Sequence, residues 1–477
     1  MQAQKITKQI INQAKNTLVE FGVSRILVDF VFYNKEFNTI REVDCLAKQM
    51  IKKKLEGTLN LSEYKEAYKM KDTEIKIFTK EDDMKDFFEV QGNNDKWIKV
   101  YTNEIECAPL PDCKLNALIP HAFQHVMKYT RKKGSIITDF ASDVNEDDIT
   151  SSMSTTKTSV CFPDGNGIVM YPLRYTAFQH VQERSGITGS SISSLRERKR
   201  AMEINPEVRC NCINEGLSLY RDKTLVLVRD GKVTALLSGD ESDYAIMPVI
   251  QLVNIVEEEL KNSYCGYTFA EARTSHEISS ITYSIHDEEI ENRILDILSS
   301  AGELVSKITI DLRLTTSDVG KCAARVTPII YERGRELIIG KSQSVEHKGG
   351  AKAIAAFSDS VHLILGKFRE NISCLERLMR ISVNHPVEML KNLYEALKLT
   401  GYSSALKEVQ EKIVAEKSGN ITAYDIYWYL NEMLFIQEEA NRKAGKTISL
   451  FESIKAQETV AEILFISDLQ QYDTDNI

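Results

Sequence analysis

K-T-L-V-L-V-R-D-G-K-V-T-A-L-L-S, running from Lys223 to Ser238, is the stretch on which the fold turns. Asp230-Gly231 stands between two apolar runs. That dipeptide suits a two-residue turn, whose backbone twist matches that of paired antiparallel strands. The reading is a strand over Lys223–Arg229, a turn, and a return strand over Lys232–Ser238. After Tyr244, the positions Val249, Leu252, Val253, Val256 and Leu260 fall at helical spacing. Strands follow near 266–274 and 279–286, then a helix at 287–300, then strands at 304–315, 322–331 and 335–341. Two antiparallel groups separated by helices, without regular strand–helix–strand alternation, predict an α+β fold.

Outward from this centre the pattern changes. From about Lys352 it is helical, over Ala353–Glu370, Pro386–Lys398, Ser403–Glu416, Ala423–Glu439 and Leu450–Ile466. Gly401 and Gly419 serve as terminators, and the tail Gln470–Ile477 is expected to fray. Toward the N-terminus, Ile6, Ile10, Ala14 and Leu18 mark a helix over 5–20, and a second lies near 40–55. Ile75, Ile77, Trp97, Ile98, Val100 and Tyr101 mark short strands within 73–110, with Asn93-Asn94-Asp95 as turn chemistry. A helix is expected over 117–131, and the acidic, Ser/Thr-rich Asp139–Thr158 reads as a linker or long loop. The resulting division is an N-terminal α+β region (1–160), a central α+β domain (161–345) and a mostly helical C-terminal region (346–477).

The chain has 477 residues, 43% hydrophobic and 27% charged, the balance of a packed multi-domain protein. A net charge of −9 excludes a whole-chain basic footprint but leaves room for a local basic groove. Nine scattered cysteines read as reduced thiols; Cys210 and Cys212 form a C-x-C with no second pair to complete a zinc site. The N-terminus opens on a polar amphipathic helix, and no apolar stretch approaches ~18 residues. A soluble, cytoplasmic protein is the expectation.

Several motifs fail on spacing. Gly334 and Gly340-Lys341-Ser342 enclose five residues where a phosphate-binding loop needs four between its glycines. Asp143–Asp147 opens like a calcium loop, but Asp148 stands where glycine is required and Ser154 where glutamate is required. His121 and His125 share a helix face without further ligands. No nucleophile–base pair emerges, so no cofactor is expected and catalysis is not favoured. The junction His347-Lys348-Gly349-Gly350-Ala351-Lys352 is different. Two glycines permit close backbone approach, a helix N-terminus offers free amides, and lysines add charge. With Lys321, Arg325 and Lys341 it forms a candidate nucleic-acid-binding set: Lys321, Arg325, Lys341, His347, Lys348, Gly349, Gly350 and Lys352. The alternative is a plain loop-to-helix junction. Arg196–Arg200 is a short basic run whose alternative is a solvated helical face. The pentapeptide Ala122–Val126 recurs as Ala177–Val181, which reads as two amphipathic helices that each bury Phe and Val.

An ordered suite of segments resembles the phage/plasmid-like protein family of unknown function. It comprises Thr176–Ile187, Leu225–Ser238 with Asp243-Tyr244, Ser317–Gly320, Ala324–Pro328, His347-Lys348-Gly349 and Thr422–Tyr427, and covers roughly Pro172 to Phe465. Where the family has a short Ser-Asp-basic-Tyr after the second strand, this chain carries an insertion over Ser238–Tyr244. The resemblance implies a mobile-element setting and no defined chemistry.

The expected function is non-enzymatic binding of single-stranded nucleic acid, in the manner of an annealing protein, with self-association. The rival is a protein-interaction factor of a mobile element, with a host or phage protein as partner. A continuous basic groove favours the first, and an acidic or apolar patch the second.

Overall fold

The computed structural model describes residues 40–55, 75–109, 155–187 and 206–474, apart from 166, 264–265, 301–307, 333, 416–420 and 445–448. It also describes Met127–Lys128 and isolated positions between 11 and 32. In chain order the strands are β1 (Lys76–Phe78), β2 (Lys96–Tyr101), β3 (Glu106–Pro109), β4 (Met127–Lys128), β5 (Thr155–Asp164), β6 (Gly167–Arg174), β7 (Lys223–Arg229), β8 (Lys232–Ser238), β9 (Tyr267–Thr274), β10 (Ser279–Ile285), β11 (Thr309–Thr316), β12 (Ala324–Glu332), β13 (Arg335–Ile338) and β14 (Gln343–Val345). The helices are α1 (Ile40–Leu55), α2 (Glu81–Asn94), α3 (Tyr175–Arg184), α4 (Pro206–Ser218), α5 (Val249–Ser263), α6 (Glu288–Ser300), α7 (Ala351–Gly366), α8 (Phe368–Arg380), α9 (Pro386–Ala396), α10 (Ser403–Ala415), α11 (Ala423–Lys443) and α12 (Leu450–Ala461).

The β7–β8 hairpin closes through Asp230 and Gly231, at φ 52° and 68°. Positive φ at both positions is what a two-residue turn of this hand requires. The hairpin sits inside a seven-stranded sheet of order β2-β7-β8-β6-β5-β3, with β4 on β6. Its β6–β8 pair is parallel and its other pairs are antiparallel. The second sheet, β1-β9-β10-β11-β12-β13 with β14 on β12, is antiparallel throughout. The fold is α+β with a helical C-terminal part. Strands β1, β2 and β3 are hydrogen-bonded into these sheets, so residues 76–109 share backbone pairing with the centre of the chain.

The second sheet has two unlike faces. Ile281, Leu314 and Val326 lie in one cross-strand row, and Ile285, Ile310 and Ile330 in another. All are buried with α5 and α7 residues such as Val253, Val256, Phe357 and Val361. Each side chain buried this way contributes about 1.5–3 kcal/mol, so this face holds the layers together. The opposite face carries Ser280–Thr315–Arg325 and Thr282–Arg313–Thr327. Here Arg313 reaches Gln457 and Arg325 reaches Glu458, both on α12.

Five expectations need correction. The loop read over Asp139–Thr158 ends earlier, since Thr155–Thr158 belong to β5 and Thr158 pairs with Pro109. Residues 81–94 form α2 rather than strand and turn. Glu81, Asp82 and Asp83 occupy its first turn, where carboxylates suit the helix dipole, and Met84 and Phe88 bury one face. Of the helix expected over 117–131, only Met127–Lys128 lies among the described residues, and it pairs as a strand with Met170 and Val169. The helix expected over 353–370 divides at Lys367, whose ψ of 1° leaves the helical region. The tail does not fray through Asp473, whose carboxylate accepts the backbone N–H groups of Asn384 and His385 at 2.8 and 2.6 Å. Residues 5–10, the first copy of the pentapeptide, His121 and His125, the calcium-like loop and Arg196–Arg200 lie outside the described residues.

Candidate functional site

Arg229, the last residue of β7, anchors the region where most of the family-like segments meet. Its guanidinium donates to both carboxylate oxygens of Asp95, at 2.8 and 2.5 Å, and to Asp318 at 2.8 Å. Burial opposes the charge, yet the bonds and fields of the two aspartates raise its pKa. Asp318 in turn accepts the Tyr244 hydroxyl on its backbone carbonyl at 3.0 Å. The Tyr244 ring stacks on His347, with centroids 5.5 Å apart and planes 13° from parallel. Burial lifts the Tyr244 pKa and lowers that of His347, so both rings are neutral at pH 7. Ser317 donates to the Glu277 carbonyl, and Lys321 donates to Gln179 at 3.0 Å. The segments around 179, 229, 244, 318 and 347 thus form one hydrogen-bonded and stacked unit. Thr422–Tyr427 lies elsewhere: it opens α11, where Tyr427 donates to the Ile338 carbonyl at the sheet.

Three of the proposed cations have carboxylate neighbours. Lys321 stands 3.7 Å from Glu277, Arg325 pairs with Glu458, and Lys348 pairs with Glu346 at 2.7 Å. Lys341 precedes β14 and His347 follows it. Gly349 and Gly350 have φ of 87° and 59°, so the glycines are required by the backbone. The Gly349 N–H donates to the Glu241 carbonyl, and a Cβ on Gly350 would meet the Glu241 carboxylate at 3.4 Å. A carboxylate of the chain itself therefore stands beside the start of α7. Lys341, Lys348 and Lys352 are exposed. His347 to Lys352 are consecutive at the start of α7, Lys321 is joined to α3 through Gln179, and Arg325 turns to Glu458 on α12.

A cleft of about 480 Å³ opens beside this unit. Helix α3 contributes His180, Glu183 and Arg184; the turn before β7 contributes Tyr220 and Asp222; β8 contributes Leu236, Leu237 and Ser238; Asp243, Tyr244 and Gly320 complete it. The backbone N–H of Leu236 donates to His180 Nδ1 at 3.3 Å. An amide can only donate, so Nδ1 is the unprotonated nitrogen and the ring proton sits on Nε2. Burial, together with the fields of Lys321 and Arg184, lowers the His180 pKa to about 4. Arg184 donates to Asp222 at 2.6 Å, and Ser238 donates to Asp243 at 3.1 Å. Gly320, at φ 72°, lies so near the wall that a Cβ would stand 3.0 Å from Leu237.

Sequence reasoning passed over His180, Arg184 and Tyr220. The signal for His180 was the segment Ala177–Val181, taken for its buried Phe and Val. Comparison with family models, with curated proteins and with solved structures finds no match. The resemblance therefore stands on the motif residues alone.

Proposed function

We propose that the chain is a non-enzymatic protein of a phage or plasmid that binds single-stranded nucleic acid beside this cleft, in the cytoplasm of the host cell. One observation carries the reading. Tyr101 and Tyr220 are 48% and 44% exposed, and Arg221 and Lys223 stand exposed next to them. The Lys223 ammonium lies 5.5 Å from the Tyr101 ring centroid. Register holds the group together: Tyr101 pairs with Lys223, and Thr102 donates its N–H to the Asp222 carbonyl. Exposed aromatic faces interleaved with cations suit single strands, because every base offers a face to stack while the cations follow the backbone. Self-association along a strand would extend the surface. This reading moves the contact from the His347 junction to the cleft rim.

Fluorescence anisotropy with a labelled 20-nucleotide single strand and its duplex provides the test. The single strand should bind more tightly. Tyr101→Ala and Tyr220→Ala should each weaken it by an amount matching a lost stacked base, about 1–3 kcal/mol. Absence of single-strand binding at low salt would remove the proposal. The second reading, a protein-interaction factor, is favoured by the carboxylates already seated on Lys321, Arg325 and Lys348.

A further inference from the structure

We infer that the cleft holds one unstacked keto nucleobase (guanine, thymine or uracil) by its polar edge, and does not hold a phosphate. The inference rests on the nucleic-acid reading above and names what the cleft takes from the strand.

Charge argues first. Glu183, Asp222 and Asp243 line the cleft against a single arginine, and Arg184 already donates to Asp222. A phosphate placed there would face three carboxylates and one committed cation. The inverse ligand, a lysine or arginine side chain, meets the second obstacle. His180 spends Nδ1 on the Leu236 amide, so its remaining polar atom is an Nε2–H donor. A donor is wasted on a cation, but it suits a carbonyl oxygen.

The cleft therefore asks for a ligand with a carbonyl acceptor and N–H donors on one edge, and with flat apolar faces. Guanine, thymine and uracil each place a ring N–H beside a carbonyl. Adenine has no carbonyl, and cytosine has no ring N–H. His180 would donate to the carbonyl, and Asp243, oriented by Ser238, would accept the ring N–H. Leu237 supplies apolar wall, and the Tyr220 ring stands at the rim. The Tyr220 hydroxyl lies against Gly186, at φ 70°, where a Cβ would stand 2.9 Å from it. A volume of about 480 Å³ leaves space for a base with its sugar outside.

The full chain is titrated by anisotropy against three 20-nucleotide strands: oligodeoxythymidylate, oligodeoxyadenylate, and a strand whose central residues are abasic with the same phosphates. Thymidylate should bind at least about fivefold more tightly than the other two, the lower end of what a paired base edge discriminates. His180→Phe and Asp243→Asn should each bring thymidylate down to the adenylate level. Asp243 is exposed, so its variant tests the idea even if His180→Phe perturbs folding. Equal affinity for all three strands, or a thymidylate preference that survives both substitutions, would overturn the inference and leave strand binding standing. No binding to any strand would instead remove the nucleic-acid reading. Binding of a labelled hexalysine peptide that Asp243→Asn abolishes, with no strand bound, would assign the cleft to a basic partner and overturn both.

Discussion

His180 illustrates how a single residue takes its chemistry from three neighbours. Leu236 fixes the tautomer, burial disfavours the charge, and Lys321 and Arg184 disfavour it further. The sign of the pH effect follows. A histidine ionises near 6.5 in an unfolded chain and here near 4 in the folded one. Between those values the unfolded chain binds the extra proton. Stability from this site is thus complete above about pH 6.5 and declines as pH falls toward 4. With imidazole carbons labelled, the NMR resonance that disappears in His180→Gln should titrate with a midpoint near 4. A midpoint at 6 or above would show that the ring is not held neutral. None of this was legible beforehand, because tautomer and desolvation depend on a strand 56 residues away in sequence. Gly349 and Gly350 were legible, since adjacent glycines before a helix already signal a backbone that a Cβ would strain.

Elements were legible where local pattern and tertiary role agree. The 223–238 hairpin and the helices opening at Pro386, Ser403 and Ala423 appear where spacing puts them. The α2 segment was not, because its two flanking strands imposed an alternation on the residues between. The C-terminal tail was misjudged for a different reason: a polar end frays unless something distant holds it. Asp473 is held by the start of α9, where two backbone N–H groups need acceptors, and the Tyr472 carbonyl accepts from Asn392 at 2.9 Å. Asp473 therefore acts as a helix cap supplied from 88 residues away. Asp473→Ala should cost about 0.5–2 kcal/mol, the range for losing a capping acceptor. At about 2–4 °C per kcal/mol in a unit of this size, calorimetry should find the melting point lowered by a few degrees. An unchanged melting point would mean the tail contributes nothing to α9.

At the scale of the whole molecule, a group of buried cations is spent internally. Arg273 and Arg313 both reach Glu336, Arg325 reaches Glu458, and Arg335 and Lys412 share Glu432. The pairs of Arg273, Arg313 and Arg325 lie on the polar face of the second sheet. There Arg313 Nε and Nη2, Ser280 Oγ and Thr315 Oγ1 find no hydrogen-bond partner among the described residues. The net charge of −9 leaves little long-range attraction for a polyanion. Composition showed this balance, but not which cations were paired, because pairing is a property of the folded sheet. The salt dependence of strand binding follows. If contacts are led by bases, with Lys223 and Arg221 as the phosphate contacts, two counterion-releasing cations remain. For single strands the slope of log affinity against log salt is then about −1.4. Raising salt from roughly 50 to 200 mM should weaken binding about sevenfold. A groove with six phosphate contacts would give a slope near −4 and a loss of roughly 300-fold over the same range. Lys348→Ala should leave affinity and slope unchanged, since that ammonium is already paired with Glu346, whereas Lys223→Ala should lower the slope by about 0.7. A steep slope that flattens in Lys348→Ala would return the contact to the His347 junction, and with it the backbone-led binding that the carboxylates at Glu241 and Glu346 argue against.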